Sequence, residues 1–165
     1  ADALRNGPGW LAPAAPAFVA VKLLAGGMVS EGEFIVMAED LANRAPLGGA
    51  TGRNAIHSAL RVLDARWRPR VARAMVYLAR DAVTPLIPLS RFQPPKEVFR
   101  ALSPEFMERR GALAFDRLDD QLMVAVLNPY DEVLRGDVRQ CVRKPCAFFL
   151  AFPGEYDTTA AFMLE

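Results

Sequence analysis

Apolar side chains in the first half of the chain recur at three- and four-residue intervals, the spacing of one helix face. Phe34, Met37 and Leu41 keep this period after Ser30. Ser30 and Glu33 form a capping box, in which the hydroxyl bonds a free amide and the carboxylate reaches back. The pattern predicts four helices, over residues 18–25, from Ser30 to before Pro46, over 53–66 and over 69–82.

The second half carries short apolar runs that are separated by proline, Asp-Asp and Asn-Pro. Pro85 and Pro88 favour an extended segment over 86–92, because an edge strand tolerates proline. Residues 147–152 are apolar throughout, as expected for a central strand that is covered on both faces. The predicted elements that follow residue 92 are helices at 94–102 and 103–110, strands at 113–118 and 121–127, a helix at 131–142, a strand at 147–152 and a helix at 153–164.

Together these elements predict an α+β fold. A small N-terminal helical subdomain precedes a β-β-α-β-α subdomain with a short sheet of three to four strands. We divide the chain into a flexible leader at 1–17, the helical subdomain at 18–82 and the α+β subdomain at 85–165. The leader is rich in Ala, Pro and Gly and shows no period.

The composition excludes several classes of protein. With 165 residues, of which 52% are hydrophobic, the chain can bury an ordinary core without a staple. Cys141 and Cys146 lie in apolar surroundings and are predicted to be buried free thiols rather than a disulfide. No apolar run approaches the roughly 18 residues that span a bilayer, and no signal sequence is visible. We therefore expect a cytoplasmic protein that does not insert into the membrane.

The charge is unevenly spread, although the net charge is only +1. Residues 53–101 carry ten basic and three acidic side chains, while both flanks are acidic. Arginine binds phosphate and carboxylate bidentately, and Trp67 could stack on a base, so this stretch could bind an anion. Alternatively, the arginine stems cover apolar neighbours on a solvated helix face. The candidate ligand-binding residues are Arg61, Arg66, Arg68, Arg70 and Arg73.

Nucleic-acid binding by this stretch is the weakest hypothesis, because no recognition motif accompanies the charge and the flanks are acidic. Catalysis also lacks its usual residues. The chain contains no GxxxxGK[ST] phosphate-binding loop, and its one histidine, His57, lies on a predicted helix. One histidine and two cysteines cannot supply a metal site with a known ligand spacing. We predict a protein that is not an enzyme and has no metal, no cofactor and no nucleic-acid partner.

A turn of Asn128, Pro129 and Asp131 connects the second strand of the predicted hairpin to the next helix. Ligands in open sheets often bind beyond the carboxyl ends of the strands. The same residues also suit a purely structural role. Asn128 can bond its own backbone, Pro129 ends the strand, and Asp131 favours a helix N-terminus. We favour the structural role and keep the ligand site as the alternative.

The segments LSPEFMERR at Leu102–Arg110 and LMVAVLNPYD at Leu122–Asp131 resemble a known family. They are similar to the N-terminal regulatory domain of the type II secretion and type IV pilus assembly ATPases. The resemblance is specific over 85–165, loose over 18–82 and absent from 1–17. It implies a domain that docks the ATPase motor to its inner-membrane platform, or one that senses a nucleotide second messenger.

The family often carries two copies of a cyclic di-GMP-binding motif that opens with Arg-Leu-Gly. The first copy would be Lys22–Phe34, and the second would be Ser58–Met75. The later apolar positions of the motif persist in both copies, and Gly27 fits the first, but the opening Arg-Leu-Gly is missing. A backbone that approaches a base closely needs glycine at such positions.

The resemblance therefore implies a non-catalytic interaction domain, held near the inner membrane by a platform protein or by the ATPase motor. The alternative that it implies is a receptor for cyclic di-GMP or another anionic nucleotide, which would use the arginine-rich helices.

Overall fold

The computed structural model describes residues 17–44 and 68–164. Within these ranges the helices are α1 (Ala17–Ala25), α2 (Glu31–Arg44), α3 (Arg68–Asp81), α4 (Lys96–Phe99), α5 (Glu132–Val142) and α6 (Pro153–Leu164). The strands are β1 (Leu86–Ile87), β2 (Ala112–Leu118), β3 (Gln121–Val126) and β4 (Cys146–Ala151). A 3-10 turn covers Leu89–Arg91, and a π-helical turn covers Phe106–Arg110. The predicted helix at 53–66 and residues 1–16 of the predicted leader lie outside the described residues, whereas Ala17 already belongs to α1.

The four strands form one mixed sheet in the order β1-β4-β3-β2. β2 and β3 are an antiparallel hairpin, and β4 runs parallel to both β3 and β1. The predicted α+β class and the short sheet are confirmed, with β4 as the inner, fully apolar strand. The extended segment predicted at 86–92 is correct only for β1, because Pro88 cannot donate to the sheet and the 3-10 turn follows it.

Alternate residues of the hairpin enter different hydrophobic clusters on the two faces of the sheet. Leu113, Phe115 and Ala125 belong to one cluster, whereas Ala114 and Val124 belong to the other. The first cluster also takes buried residues from α1, α3 and α6, and the second takes them from α4 and α5. The described helices of the N-terminal part thus share a core with the sheet, and the division of the chain into subdomains stays a prediction.

Local side-chain bonds fix where the helices begin. At the start of α2, the Ser30 amide donates to Glu33 Oε1 at 2.9 Å and the Glu33 amide donates to Ser30 Oγ at 3.2 Å. This reciprocal pair is the predicted capping box. α5 starts after Asp131, whose Oδ1 accepts from the Leu134 amide at 2.9 Å. Both helix starts could be predicted because each depends on residues three positions apart.

The two cysteines are free, as expected, but the prediction that both are buried was wrong. Cys141 is exposed and Cys146 is half-buried. Cys141 lies in the last turn of α5 and lines an open pocket together with Leu122. Burial raises the pKa of the Cys146 thiol, so this thiol is mostly protonated at neutral pH.

α1 ends at a close contact with α3. Gly27 adopts a left-handed φ of 72°, the Met28 amide bonds the Leu23 carbonyl at 2.9 Å, and the Gly27 amide bonds the Leu24 carbonyl at 3.1 Å. These bonds form a Schellman motif that satisfies the last carbonyls of the helix. The neighbouring Gly26 is needed for a different reason. A Cβ atom at Gly26 would overlap the ring of Tyr77 on α3.

Gly26→Ala is therefore expected to lower the free energy of unfolding by about 1–3 kcal/mol, since either the Tyr77 ring or the helix contact must move. Gly136→Ala is the matched control, because Gly136 lies within α5 and a Cβ there meets no atom within 4 Å. That change should raise stability by up to about 1 kcal/mol. Urea denaturation of both variants measures the difference. Equal effects would contradict the close contact between α1 and α3.

Candidate functional site

The arginines predicted from the sequence are only partly described. Arg61 and Arg66 lie outside the described residues. Arg68 and Arg70 lie in the first turn of α3. Arg73 is exposed on the same helix, whose buried residues include Met75 and Leu78. The ligand-binding role of the five arginines stays a prediction.

The turn after β3 has clear local geometry. Asn128 is 4% exposed, and its Oδ1 accepts from the Tyr130 amide at 3.0 Å. Asp131 caps α5 as described above. The Pro129 carbonyl accepts from Arg135 Nη2 at 2.8 Å. All three residues shape the passage from β3 into α5, and a ligand at this turn remains the alternative hypothesis.

A polar cluster that the sequence did not predict holds this turn against the helices. We call Phe18, Lys22, Asp81 and Tyr130 the Asp81 cluster. The Tyr130 hydroxyl donates to Asp81 Oδ2 at 2.7 Å, and Lys22 Nζ lies 3.3 Å from the same oxygen. Lys22 Nζ also lies 5.4 Å from the ring centre of Tyr130 and 5.7 Å from that of Phe18. The Phe18 and Tyr130 rings meet edge to face at 5.2 Å. One carboxylate thus connects α1, α3 and the β3–α5 turn.

These contacts change the acid–base properties of the cluster. The hydrogen bond from Tyr130 is the largest effect on Asp81, and with Lys22 it holds the pKa of this carboxyl below its ordinary value of 3.8, against the effect of burial. Burial, followed by the bond to Asp81, raises the pKa of the Tyr130 hydroxyl well above its usual range. The cluster is therefore a tyrosine hydroxyl bonded to an ionised carboxylate at neutral pH.

Arg135 forms a second internal anchor. Its Nη2 donates to Thr84 Oγ1 at 2.6 Å as well as to the Pro129 carbonyl, and Thr84 is 2% exposed. The guanidinium lies 5.3 Å from the ring centre of Phe148, a cation–π contact. Arg135 thus ties the segment before β1 to the start of α5. Because it is used inside the fold, Arg135 is not available to a ligand.

A groove with an apolar floor opens between α4, the π-helical turn and the end of α6. We call it the Phe162 groove. It has a volume of about 530 Å³ and is lined by Phe99, Leu102, Met107 and Phe162, among others. The first three are buried, whereas Phe162 is 74% exposed. An aromatic side chain thus stands in solvent beside an apolar floor. No sequence pattern indicated this exposure, because Phe162 lies on a helix with other apolar residues.

A second cavity, which we call the basic pocket, lies on the other flank of α4. Its volume is about 350 Å³, and its lining includes Arg100, Arg117, Lys144 and one carboxylate, Glu97. Arg100 also lines the Phe162 groove. None of the basic residues of this pocket was among the residues predicted to bind a ligand, because they are far apart in the sequence.

The described ranges contain no group of three or more His, Cys, Asp or Glu side chains that could hold a metal ion. In the same ranges, no helix has both the length and the apolar character needed to cross a membrane.

Residues 83–160 match the family model of the MshEN domain. The match covers a little under half of the chain. The resemblance to the N-terminal domain of type II secretion and type IV pilus ATPases is thereby confirmed. In those ATPases the MshEN domain is a regulatory domain and not the catalytic one. Both cavities and the β3–α5 turn belong largely to the matched segment.

Solved structures show the same fold over more of the chain than the MshEN match does. The structure of MshE with cyclic di-GMP is 19% identical, covers 88% of this chain and 97% of its own, and has a TM-score of 0.56. A crystal structure of the N-terminal domain of XpsE is 17% identical, covers 89% of this chain and 94% of its own, and has a TM-score of 0.50. A search of the curated proteins found no match.

The Asp81 cluster predicts a pH dependence of stability. Tyr130→Phe removes a hydrogen bond to an ionised carboxylate, which should lower stability by about 1–2 kcal/mol at neutral pH. Since the folded-state pKa of Asp81 is lowered, this stabilisation is complete above the unfolded value of 3.8 and is lost as the pH falls through the folded-state pKa. The difference between wild type and Tyr130→Phe should therefore shrink as the pH falls below the unfolded value of 3.8 and should vanish once Asp81 is protonated in the folded state.

Tyr156→Phe is the matched control. The Tyr156 hydroxyl also donates a bond of 2.7 Å, but its acceptor is the Met107 carbonyl, which does not titrate in this range. Urea midpoints across the pH series should show a constant deficit for Tyr156→Phe and a vanishing one for Tyr130→Phe. A constant deficit in both variants would contradict the claim that the hydrogen bond from Tyr130 stabilises the ionised form of Asp81.

Proposed function

We propose that this chain is a non-catalytic interaction and regulatory domain of a type II secretion or type IV pilus ATPase system, and that it docks to an inner-membrane platform protein. The MshEN domain supports the system, and the exposed Phe162 groove supports docking. The observation that carries the proposal is Phe162 itself, a 74% exposed aromatic ring beside a buried apolar floor. A partner that covers this ring removes apolar surface from water, which favours association.

The groove has the features of an interface anchor point. Phe99, Leu102 and Met107 belong to the core, so the floor is held by the fold and need not form on binding. Covering an exposed phenylalanine side chain contributes about 1.5–3 kcal/mol to association. Aromatic anchors that enter a partner's apolar contact usually carry a large share of the binding free energy.

Phe162→Asp is expected to weaken binding of the cytoplasmic domain of the platform protein from the same secretion or pilus system by tenfold or more, which corresponds to about 1.4 kcal/mol. The cause is the charge placed in the apolar contact. Calorimetric titration measures the affinity, and circular dichroism checks that the variant is folded.

Val133→Asp is the control for an added charge. Val133 is 63% exposed in the first turn of α5 and does not line the groove, and an acidic residue suits a helix N-terminus. It should leave the affinity for the platform protein unchanged. Binding that survives Phe162→Asp, or that is lost equally in both variants, would count against docking through the groove.

A second candidate function is a receptor for cyclic di-GMP. The specific observation in its favour is the likeness in fold to MshE, which was solved with that nucleotide. The arginines from Arg61 to Arg73 would supply the cations. Lys22, the first residue of the first motif copy, already forms an ion pair with Asp81. This pairing leaves it with little uncompensated positive charge for an anionic ligand.

The two candidate functions differ in their response to salt. Titration with cyclic di-GMP at low and moderate ionic strength should show micromolar binding that weakens with salt and is lost in Arg68→Ala and Arg70→Ala, if the receptor hypothesis holds. An absence of heat at high protein concentration would leave the docking function alone. Docking through the Phe162 groove should depend much less on salt than nucleotide binding does.

A further inference from the structure

We propose that the basic pocket extends the docking surface, and that it binds the carboxylates of an acidic amphipathic segment whose apolar residues fill the Phe162 groove. The proposal rests on the proposed docking function and adds to it the chemistry of the partner. The occupant is a segment of a protein partner with apolar and acidic residues on one face.

The first step is the position of α4. This four-residue helix is a ridge between the two cavities. Phe99 lines the Phe162 groove and packs in one core cluster, whereas Val98 lines the basic pocket and packs in the other. Arg100, directly after the helix, borders both cavities. A partner that covers the groove therefore meets the basic pocket across one short helix.

The second step is the availability of the cations. Arg100, Arg117 and Lys144 come from three separate segments, and within the described ranges none of them has a side-chain hydrogen bond or ion pair. Some other basic residues of the domain are engaged. Arg110 binds Asp137 at 2.8 Å, and Arg135 is held by Thr84 and Pro129. At this pocket, by contrast, three such cations from separate segments lie together.

The third step is the sign and strength of the field. The pocket carries three cations and one carboxylate, Glu97, and Lys96 adds a further cation on the groove side. Clefts lined by one sign of charge concentrate ions of the opposite sign. Guanidinium groups pair bidentately with carboxylates, and such pairs fix the orientation of a partner as well as adding affinity.

The fourth step is the choice of occupant. A small free anion could occupy the basic pocket, but it would leave Phe162 in solvent. A purely apolar segment could cover Phe162, but it would leave three cations without counterions at its border. A helix with apolar anchors three and four residues apart and acidic residues beside them satisfies both cavities.

The test uses two synthetic helical peptides with the same leucines, one with glutamate and one with lysine at the flanking positions. Fluorescence anisotropy measures their binding to the full chain. The glutamate peptide should bind, and its affinity should fall with salt, while the lysine peptide should not bind. Equal binding of both peptides, or of neither, would overturn the proposal.

The matched variants are Arg117→Glu and Arg91→Glu, which change the net charge equally. Arg117 lines the basic pocket, whereas Arg91 is exposed in the 3-10 turn and lines neither cavity. Arg117→Glu should weaken the glutamate peptide about tenfold or more, Arg117→Lys should retain most of the affinity, and Arg91→Glu should have little effect. Equal losses in Arg117→Glu and Arg91→Glu would overturn the proposal, because only the net charge would then matter.

The same variants separate this inference from the docking function. If Phe162→Asp abolishes platform-protein binding but Arg117→Glu and Lys144→Glu leave it unchanged, docking stands and the carboxylate site is overturned. If the platform protein does not bind but the glutamate peptide does so with the expected variant pattern, the surface stands and the platform is the wrong partner. If sedimentation shows a dimer that Phe162→Asp disrupts, a second copy of the chain covers the groove and the proposal is overturned.

Discussion

The need to cover both faces of a small, mostly apolar sheet determines most of this structure. β3 places alternate side chains into two separate clusters, and β4 also contributes to both, so neither face can be left to solvent. The described helices meet this need unequally. α1, α2, α3 and α6 contribute buried residues to one cluster and α5 to the other, while α4, only four residues long, contributes to both. The Phe162 groove and the basic pocket lie on the two flanks of that shortest helix, where the cover is thinnest.

Two polar anchors then hold the helical cover in place. The Asp81 cluster joins α1, α3 and the β3–α5 turn through one ionised carboxylate, and Arg135 joins the segment before β1 to α5. Both lie at the carboxyl end of β3, far along the strand from the hairpin turn at Asp119. The anchored end of the sheet is thus rich in paired charges, whereas the basic pocket near Leu122 keeps its cations unpaired. The three cations of the basic pocket therefore lie where a partner can reach them.

Features that depend on neighbouring residues could be predicted from the sequence. The capping box at Ser30, the turn at Asn128 and the apolar β4 all follow from residues a few positions apart, and the α+β order follows from them. Features that depend on distant residues could not. Tyr130 and Asp81 are 49 positions apart, and Arg100, Arg117 and Lys144 meet only because the sheet brings three segments together. The exposure of Phe162 could not be predicted for a different reason. An apolar residue on a helix normally indicates a core position, and only the folded structure shows whether neighbouring elements cover it.

The parallel pairing of β1 with β4 has a consequence for how the chain acquires its fold. Leu86 pairs with Leu150, so β1 can pair in the sheet only after more than sixty later residues have been synthesised. The β2–β3 hairpin closes over a two-residue turn and can form early, whereas β1 joins only after the crossover through α5 has brought β4 alongside β3. During synthesis the residues of α1 and α3 therefore leave the ribosome before the strands whose apolar residues share their core.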